Sequence, residues 1–275
     1  MRTASLFFWF ITWAFFGKLI FDRIYYRRIS IEKELLEKNN SSLSFSFTGF
    51  LLSLSIALFE GTDPAYPVYI NAISGTAILI FILLFTRLFD WIFLRKIDLP
   101  TEIIERRNRS AGIIEGGFFL SMGIIAAGAL SGEYEKSIKW SLIDSAFYCA
   151  LGIFLLFCVS ILFSKILKID LQQEVKRDNM AAGTAFSGVF IAISLVIASA
   201  ISGPSKGSFV YDLKLTLFDF SFSFLIMIFL FYIFDLLLFR RFSLSEELKE
   251  PNLSAGIMIA GIALFSSILS LLILP

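Results

Sequence analysis

Apolar stretches and short polar segments alternate along the chain, and eight of the stretches, at roughly 4–26, 42–59, 68–94, 110–131, 141–167, 180–202, 213–239 and 253–274, are long. Each approaches or exceeds the ~20 apolar residues that a helix needs to cross the hydrocarbon core of a bilayer. The pattern predicts an all-α polytopic membrane protein of eight transmembrane helices. These fill most of the 275 residues and leave no room for a soluble domain. Charged segments follow the first, third, fifth and seventh stretches, so the stretches fall into pairs. In each pair an aromatic-rich helix leads through a charged connection to a helix rich in small residues.

The pairs resemble one another at fixed offsets. An Asn stands nine residues ahead of a Gly at Asn40/Gly49, Asn108/Gly117, Asn179/Gly188 and Asn252/Gly261, with Asn-to-Asn intervals of 68, 71 and 73 by subtraction. Self-similarity at such a period indicates a repeated supersecondary unit. The expected units are residues 1–65, 66–136, 137–208 and 209–275, with the first two and the last two forming tandem four-helix units. Four places after the Asn stand Ser44, Gly112, Gly183 and Gly256, and eight places after it Thr48, Gly116, Ser187 and Ala260. A pair of small residues one turn apart lets helix backbones approach in lipid, where no hydrophobic drive exists between helices. The second helix of each unit is therefore expected inside and the bulkier first helix toward lipid. Asn is a favoured helix N-cap. Contact with a ligand or ion stays open beside that reading, since helix N-termini gathered about one axis would make a site of positive potential. Upstream, Glu34, Glu102 and Glu246 stand six places before the Asn, where the third unit has Gln173, followed by Glu174. They read as a solvated interfacial face.

Charge sets the orientation. Lys and Arg number 18 over the connections inside the units and their flanks, against five on the opposite side. The positive-inside rule then places those connections in the cytoplasm and both termini outside. With units of one orientation, the repeats are expected about an axis normal to the membrane. The first stretch ends Asp22-x4-Arg27-Arg28, as later ones end Asp90-x4-Arg95-Lys96 and Asp235-x4-Arg240-Arg241. It is therefore read as a retained helix rather than a signal peptide. Net charge is +1, which gives no reason to expect nucleic acid, and there is no His, which removes the usual proton shuttle and the commonest transition-metal ligand. Cys149 and Cys158 are about 13 Å apart along one helix, too far for a disulfide within it.

The run Glu102-x5-Asn108-x2-Ala111-Gly112, with Glu174-x4-Asn179-x2-Ala182-Gly183 and Glu247-x4-Asn252-x2-Ala255-Gly256, resembles the bacterial inner-membrane family typified by YjfL, domain of unknown function 350. The first unit departs from it, since Asn40-Ser-Ser-Leu-Ser has neither the Ala nor the Gly. The resemblance covers nearly the whole chain as two family units in tandem. It implies a multi-pass protein of the bacterial inner membrane and supplies no activity.

Ionisable groups inside spans are costly and are functional hypotheses by default. Asp22, Asp90 and Asp235 lie near the cytoplasmic ends of their spans, where snorkelling and local pairing with Arg or Lys is the plainer reading and a functional role stays open. Glu115 lies between Gly112 and Gly116, at a position occupied in the other units by Phe47, Phe186 and Ile259. It either pairs with Arg87 or Lys18 or lines a polar pathway. The sequence carries no nucleophile–base set, phosphate loop or metal-spaced ligands, so neither an enzyme nor a cofactor is expected. Two classes remain: a channel or transporter for small solutes or ions, and a scaffold that recruits a cytoplasmic protein in envelope maintenance or stress response. Beyond the lipid bilayer, a homo-oligomer and that protein partner stay open.

Overall fold

A computed structural model of the chain describes residues 2–26, 29–63, 66–131, 138–167, 169–203, 208–238 and 244–273. The described residues form ten α-helices and no strand: α1 Arg2–Ile20, α2 Ser41–Gly61, α3 Val68–Phe93, α4 Arg109–Leu130, α5 Ile138–Leu167, α6 Leu171–Lys176, α7 Met180–Ile201, α8 Phe209–Leu238, α9 Leu244–Glu247 and α10 Leu253–Ile273. Seven of them (α2, α3, α4, α5, α7, α8 and α10) are long and apolar enough to cross a membrane. The remaining expected stretch, 4–26, is α1 continued by a π-helical turn, Phe21–Tyr25. Arg27, Arg28, Lys136, Lys168, Lys206, Arg240 and Arg241, which entered the charge count, lie outside the described residues.

The four small-residue helices pack in succession, α2 on α4, α4 on α7 and α7 on α10. Glycine makes each contact possible. A Cβ at Gly49 would run into the backbone of Gly116, one at Gly117 into Ser187, and one at Gly188 into Ala260. A second set of contacts lies nearer the helix starts, where Gly112 closes on Ser42, Gly183 on Ser110 and Gly256 on Ala181. So the residues two and nine places after one Asn receive the residues four and eight places after the next. The rule runs in one direction, and it yields an open row. Among the described residues, α10 packs chiefly on α7, α8 and α9, and α2 on α4, α3 and α1 with the adjoining connections, so no extensive contact brings α10 back onto α2. The expected gathering of helix N-termini about one axis therefore takes the form of a line of consecutive neighbours. The central α4 and α7 are the most buried spans, while α3, α5 and above all α8 are largely exposed, as their bulk predicts.

The starts of the row are tied together by the Asn side chains. Asn40, Asn108, Asn179 and Asn252 each cap their own helix, the Oδ1 accepting from Leu43, Ala111, Ala182 and Ala255 at 3.1, 2.8, 3.3 and 3.3 Å. Three of them also donate to a carbonyl in the next connection: Asn40 to Ile103 at 3.0 Å, Asn108 to Val175 at 2.6 Å and Asn179 to Leu248 at 2.8 Å. These bonds place all four connections at one end of the bundle. Three of the connecting Glu residues are not part of a solvated face, whereas Glu246 is exposed as expected. Glu34, Glu102 and Glu174 are buried, and each meets a basic residue three or four places on, Lys38, Arg106 and Arg177. Glu102 and Glu174 also accept from their own Asn at 3.0 and 2.7 Å.

In sequence the third unit breaks this pattern, because Gln173 stands where Glu is expected. Lys33–Glu37 and Thr101–Glu105 are π-helical turns, which hold one residue more per turn, whereas α6 is an ordinary helix. One residue fewer is needed, and Glu174 takes the place of Glu34 and Glu102. The backbone bond from the Asn N–H to the Glu carbonyl is correspondingly kept at 2.9, 2.9 and 3.0 Å in the three units. In each, the residue before the Asn adopts a left-handed conformation, with φ of 51° at Asn39, 53° at Arg107 and 53° at Asp178. Pro251 precedes Asn252 and its ring forbids that conformation. The fourth connection accordingly differs, Asn252 N–H bonding the Glu250 carbonyl at 2.7 Å.

Candidate functional site: a buried carboxylate pair

Glu115 lies seven residues past the Asn108 cap, about 10 Å along α4. Its side chain is fully buried, and a carboxylate there must find donors or stay unformed. The fold supplies three. Tyr25 Oη donates to Oε1 at 3.1 Å, and Tyr26 Oη and Ser46 Oγ both donate to Oε2. Ser46 arrives from α2 because α2 and α4 run in glycine-mediated contact. The tyrosines arrive from the turn that ends the first span. Asp22, one residue into that turn, fixes the chain after it by accepting from Ile31 N–H at 2.9 Å. Phe21 and Phe119 pack against the buried tyrosine rings, and Phe50 packs behind both.

A second acid stands beside the first. Asp90, near the end of α3, has Oδ2 3.5 Å from Tyr25 Oη, so one phenol lies between the two carboxyl groups. Arg87, one turn earlier on α3, holds Nη1 3.6 Å from Asp90 Oδ2, and its Nη2 donates to the Tyr25 carbonyl. The guanidinium also stacks over the Tyr25 ring, 3.9 Å from its centroid, a cation–π arrangement favoured where water is scarce. Asp90 Oδ1 is buried and has no hydrogen-bond partner among the described residues. Buried acceptors without a partner are uncommon in native proteins.

The cluster joins Asp90 and Glu115 and adds Tyr25, Tyr26, Ser46 and Arg87. The remaining candidate residues lie elsewhere. The four Asn form the connecting line, and Gly49, Gly112, Gly116, Gly117 and Gly188 carry helix packing. Gly261 faces open space. Asp235 has no acid in the place of Glu115, since Ile259 stands there, and its Oδ1 also lacks a partner among the described residues. Arg240, its expected basic neighbour, lies outside the described residues. Lys18 does not reach Glu115 and pairs with Glu32 instead. Among the described residues no group of three His, Cys, Asp or Glu side chains is placed to hold a metal.

The tyrosine pair escaped the sequence reading, because Tyr near the end of a span reads as an interfacial anchor. The available signal was the juxtaposition of Ser46 and Glu115. They stand six and seven places after consecutive Asn residues, on the two faces that the small residues press together.

A protein of Aquifex aeolicus (strain VF5) described as a UPF0719 transmembrane protein is 34% identical over 266 residues, covering 95% of this chain and 96% of that one. No solved structure matches. The family described as Domain of Unknown Function (DUF350) matches twice, over residues 1–130 and 137–272. The chain thus belongs to the DUF350 family and is an integral membrane protein built from two copies of its domain in tandem.

Proposed function

We propose that the protein is a transporter of the bacterial inner membrane, with its termini outside, that moves a proton or small monovalent cation through the carboxylate pair of its first domain copy. The position of Tyr25 Oη between Glu115 Oε1 and Asp90 Oδ2 carries this reading. Two carboxylates against one guanidinium leave the cluster one formal negative charge out of balance in a medium where unbalanced charge is costly. One added proton or monovalent cation restores neutrality. The phenol can accept from one acid while donating to the other, and Asp90 Oδ1 is left for the incoming ion. The second copy lacks the acid at Ile259, so the site is single and the two copies are not equivalent in function.

The test is ion flux in proteoliposomes containing the purified protein, read with a pH-sensitive dye and with monovalent-cation gradients. Wild-type protein should dissipate an imposed gradient. Glu115→Gln should slow flux at least tenfold, and Tyr25→Phe should slow it less. Absence of wild-type flux for protons and for every monovalent cation tried, or flux indifferent to Glu115→Gln, overturns the reading.

One observation favours a scaffold as the second reading. Each inward-turned Glu leaves its basic partner on the surface, Arg106 and Arg177 being about two-thirds exposed beside exposed Arg107 and Arg109. Reversing the charge of Arg106, Arg107 and Arg109 should then change which cytoplasmic proteins co-purify. An unaltered set removes that reading.

A further inference from the structure

The packing rule of the row has two unused ends, and we infer that a second copy of this chain occupies them, α10 of one molecule seating on α2 of the next. Within the chain the rule is satisfied three times. The residues two and nine places after one Asn receive those four and eight places after the next, as in Ser42 with Gly112 and Gly49 with Gly116. In α10 the receiving positions are Ser254 and Gly261, and both are exposed. A Cβ built on Gly261 meets nothing within 4 Å, whereas its counterparts Gly49, Gly117 and Gly188 each press on a neighbouring helix. In α2 the entering positions are Ser44 and Thr48, again both exposed. The molecule therefore displays both halves of one interface that it already uses internally.

The polar line is unfinished in the same direction. Asn40, Asn108 and Asn179 each donate to a carbonyl of the following connection, whereas among the described residues Asn252 Nδ2 bonds only its own Glu247, at 2.8 Å. The matching acceptor in a second copy is the Leu35 carbonyl, because Leu35 follows Glu34 as Ile103 follows Glu102. The stripe of exposed α2 positions from Ser41 through Ser44, Thr48, Leu52 and Ser55 to Phe59 spans about 27 Å of helix, enough to cross the hydrocarbon core. Such a contact is heterologous, head to tail, and it extends a line or closes a ring according to the rotation per molecule. It is independent of the transport reading.

Cross-linking in native membranes tests it. In a background of Cys149→Ala and Cys158→Ala, Ser44→Cys and Ser254→Cys are placed on separate, differently tagged copies and co-expressed, then oxidised with copper phenanthroline. A dimer carrying both tags is expected, and none from either variant alone. Adding Gly261→Leu to the Ser254→Cys copy should lower the yield at least tenfold while lowering neither chain's abundance nor its detergent melting temperature, because a Cβ there meets nothing among the described residues of its own molecule. No mixed dimer, equal dimer from either variant alone, or a yield indifferent to Gly261→Leu overturns the inference. In each of these cases the open face belongs to lipid or to a symmetric contact.

Discussion

Replacing Asn179 by Ala removes three interactions at once. The cap accepted from Ala181 and Ala182 N–H is worth about 1 kcal/mol. The bond to the Leu248 carbonyl adds about 1 kcal/mol. The bond to the buried carboxylate of Glu174, 2.7 Å long, adds about 2 kcal/mol because its acceptor is charged. Asn179→Ala should thus cost about 4 kcal/mol, and Asn252→Ala, which loses a cap and one exposed bond, about 1 kcal/mol. SDS titration in mixed micelles, followed through the four Trp residues, reads that difference. Aspartate separates the roles. It keeps the accepting oxygen, loses both donors and sets a second carboxylate against Glu174, so Asn179→Asp should be at least as damaging as Asn179→Ala. Asn252→Asp, screened by water, should be tolerated to within about 1 kcal/mol. Equal losses at positions 179 and 252 would refute the claim that these side chains bind one connection to the next.

Other perturbations follow from the same contacts. Gly188→Ala drives a methyl into Ala260 and should destabilise by about 1–3 kcal/mol in the same titration, whereas Gly261→Ala should be neutral or stabilise by up to about 1 kcal/mol. Arg107→Gly relieves a side chain held at φ 53° and should stabilise by about 1–2 kcal/mol; Arg106→Gly, at an ordinary helical φ of −85°, should destabilise. The hydrogen bond and charge of Lys18 hold the Glu32 carboxyl below its ordinary value. A group depressed in the folded state contributes stability above its unfolded value and loses it as pH falls through the folded one. The NMR titration midpoint of Glu32 should therefore rise in Lys18→Met. In native membranes a lipid-soluble maleimide should label the exposed Cys158 well before the buried Cys149.

Much of this arrangement was written in the residues. Close packing of α2, α4, α7 and α10 demands small side chains at fixed offsets, and little else satisfies that demand, so Gly112, Gly183 and Gly256 betray it without coordinates. Capping is equally local, and the Asn positions mark the helix starts. The burial of Glu34, Glu102 and Glu174 is not legible in their charge pattern, which reads as a solvated face. Their burial depends on a carbonyl and an Asn brought from another connection, and a π-helical turn shifts the register between units by one place. Glu115 stood out as a charge among apolar neighbours, but its partners did not. Tyr25 and Tyr26 reach it only because the first span ends in a wound turn that swings both rings inward, and no pattern of hydrophobic and polar positions encodes that. Lys18, a nominal partner for Glu115, is claimed by Glu32 across the connection.

A line of helices in which the main contacts run between consecutive members behaves thermodynamically like a short one-dimensional lattice, its stability the sum of what each member holds alone and what each junction adds. The α4–α7 junction, although it joins the two domain copies, obeys the same rule as the junctions within them, so there is no seam at which the chain divides into halves. Disorder then enters by peeling from α2 or α10, and the terminal members exchange their amide hydrogens first. Tyr25, Tyr26 and Ser46 stand at the α2 end, so the donors that hold the Glu115 carboxylate lie on a member that can peel away, while the carboxylate itself sits on the central α4.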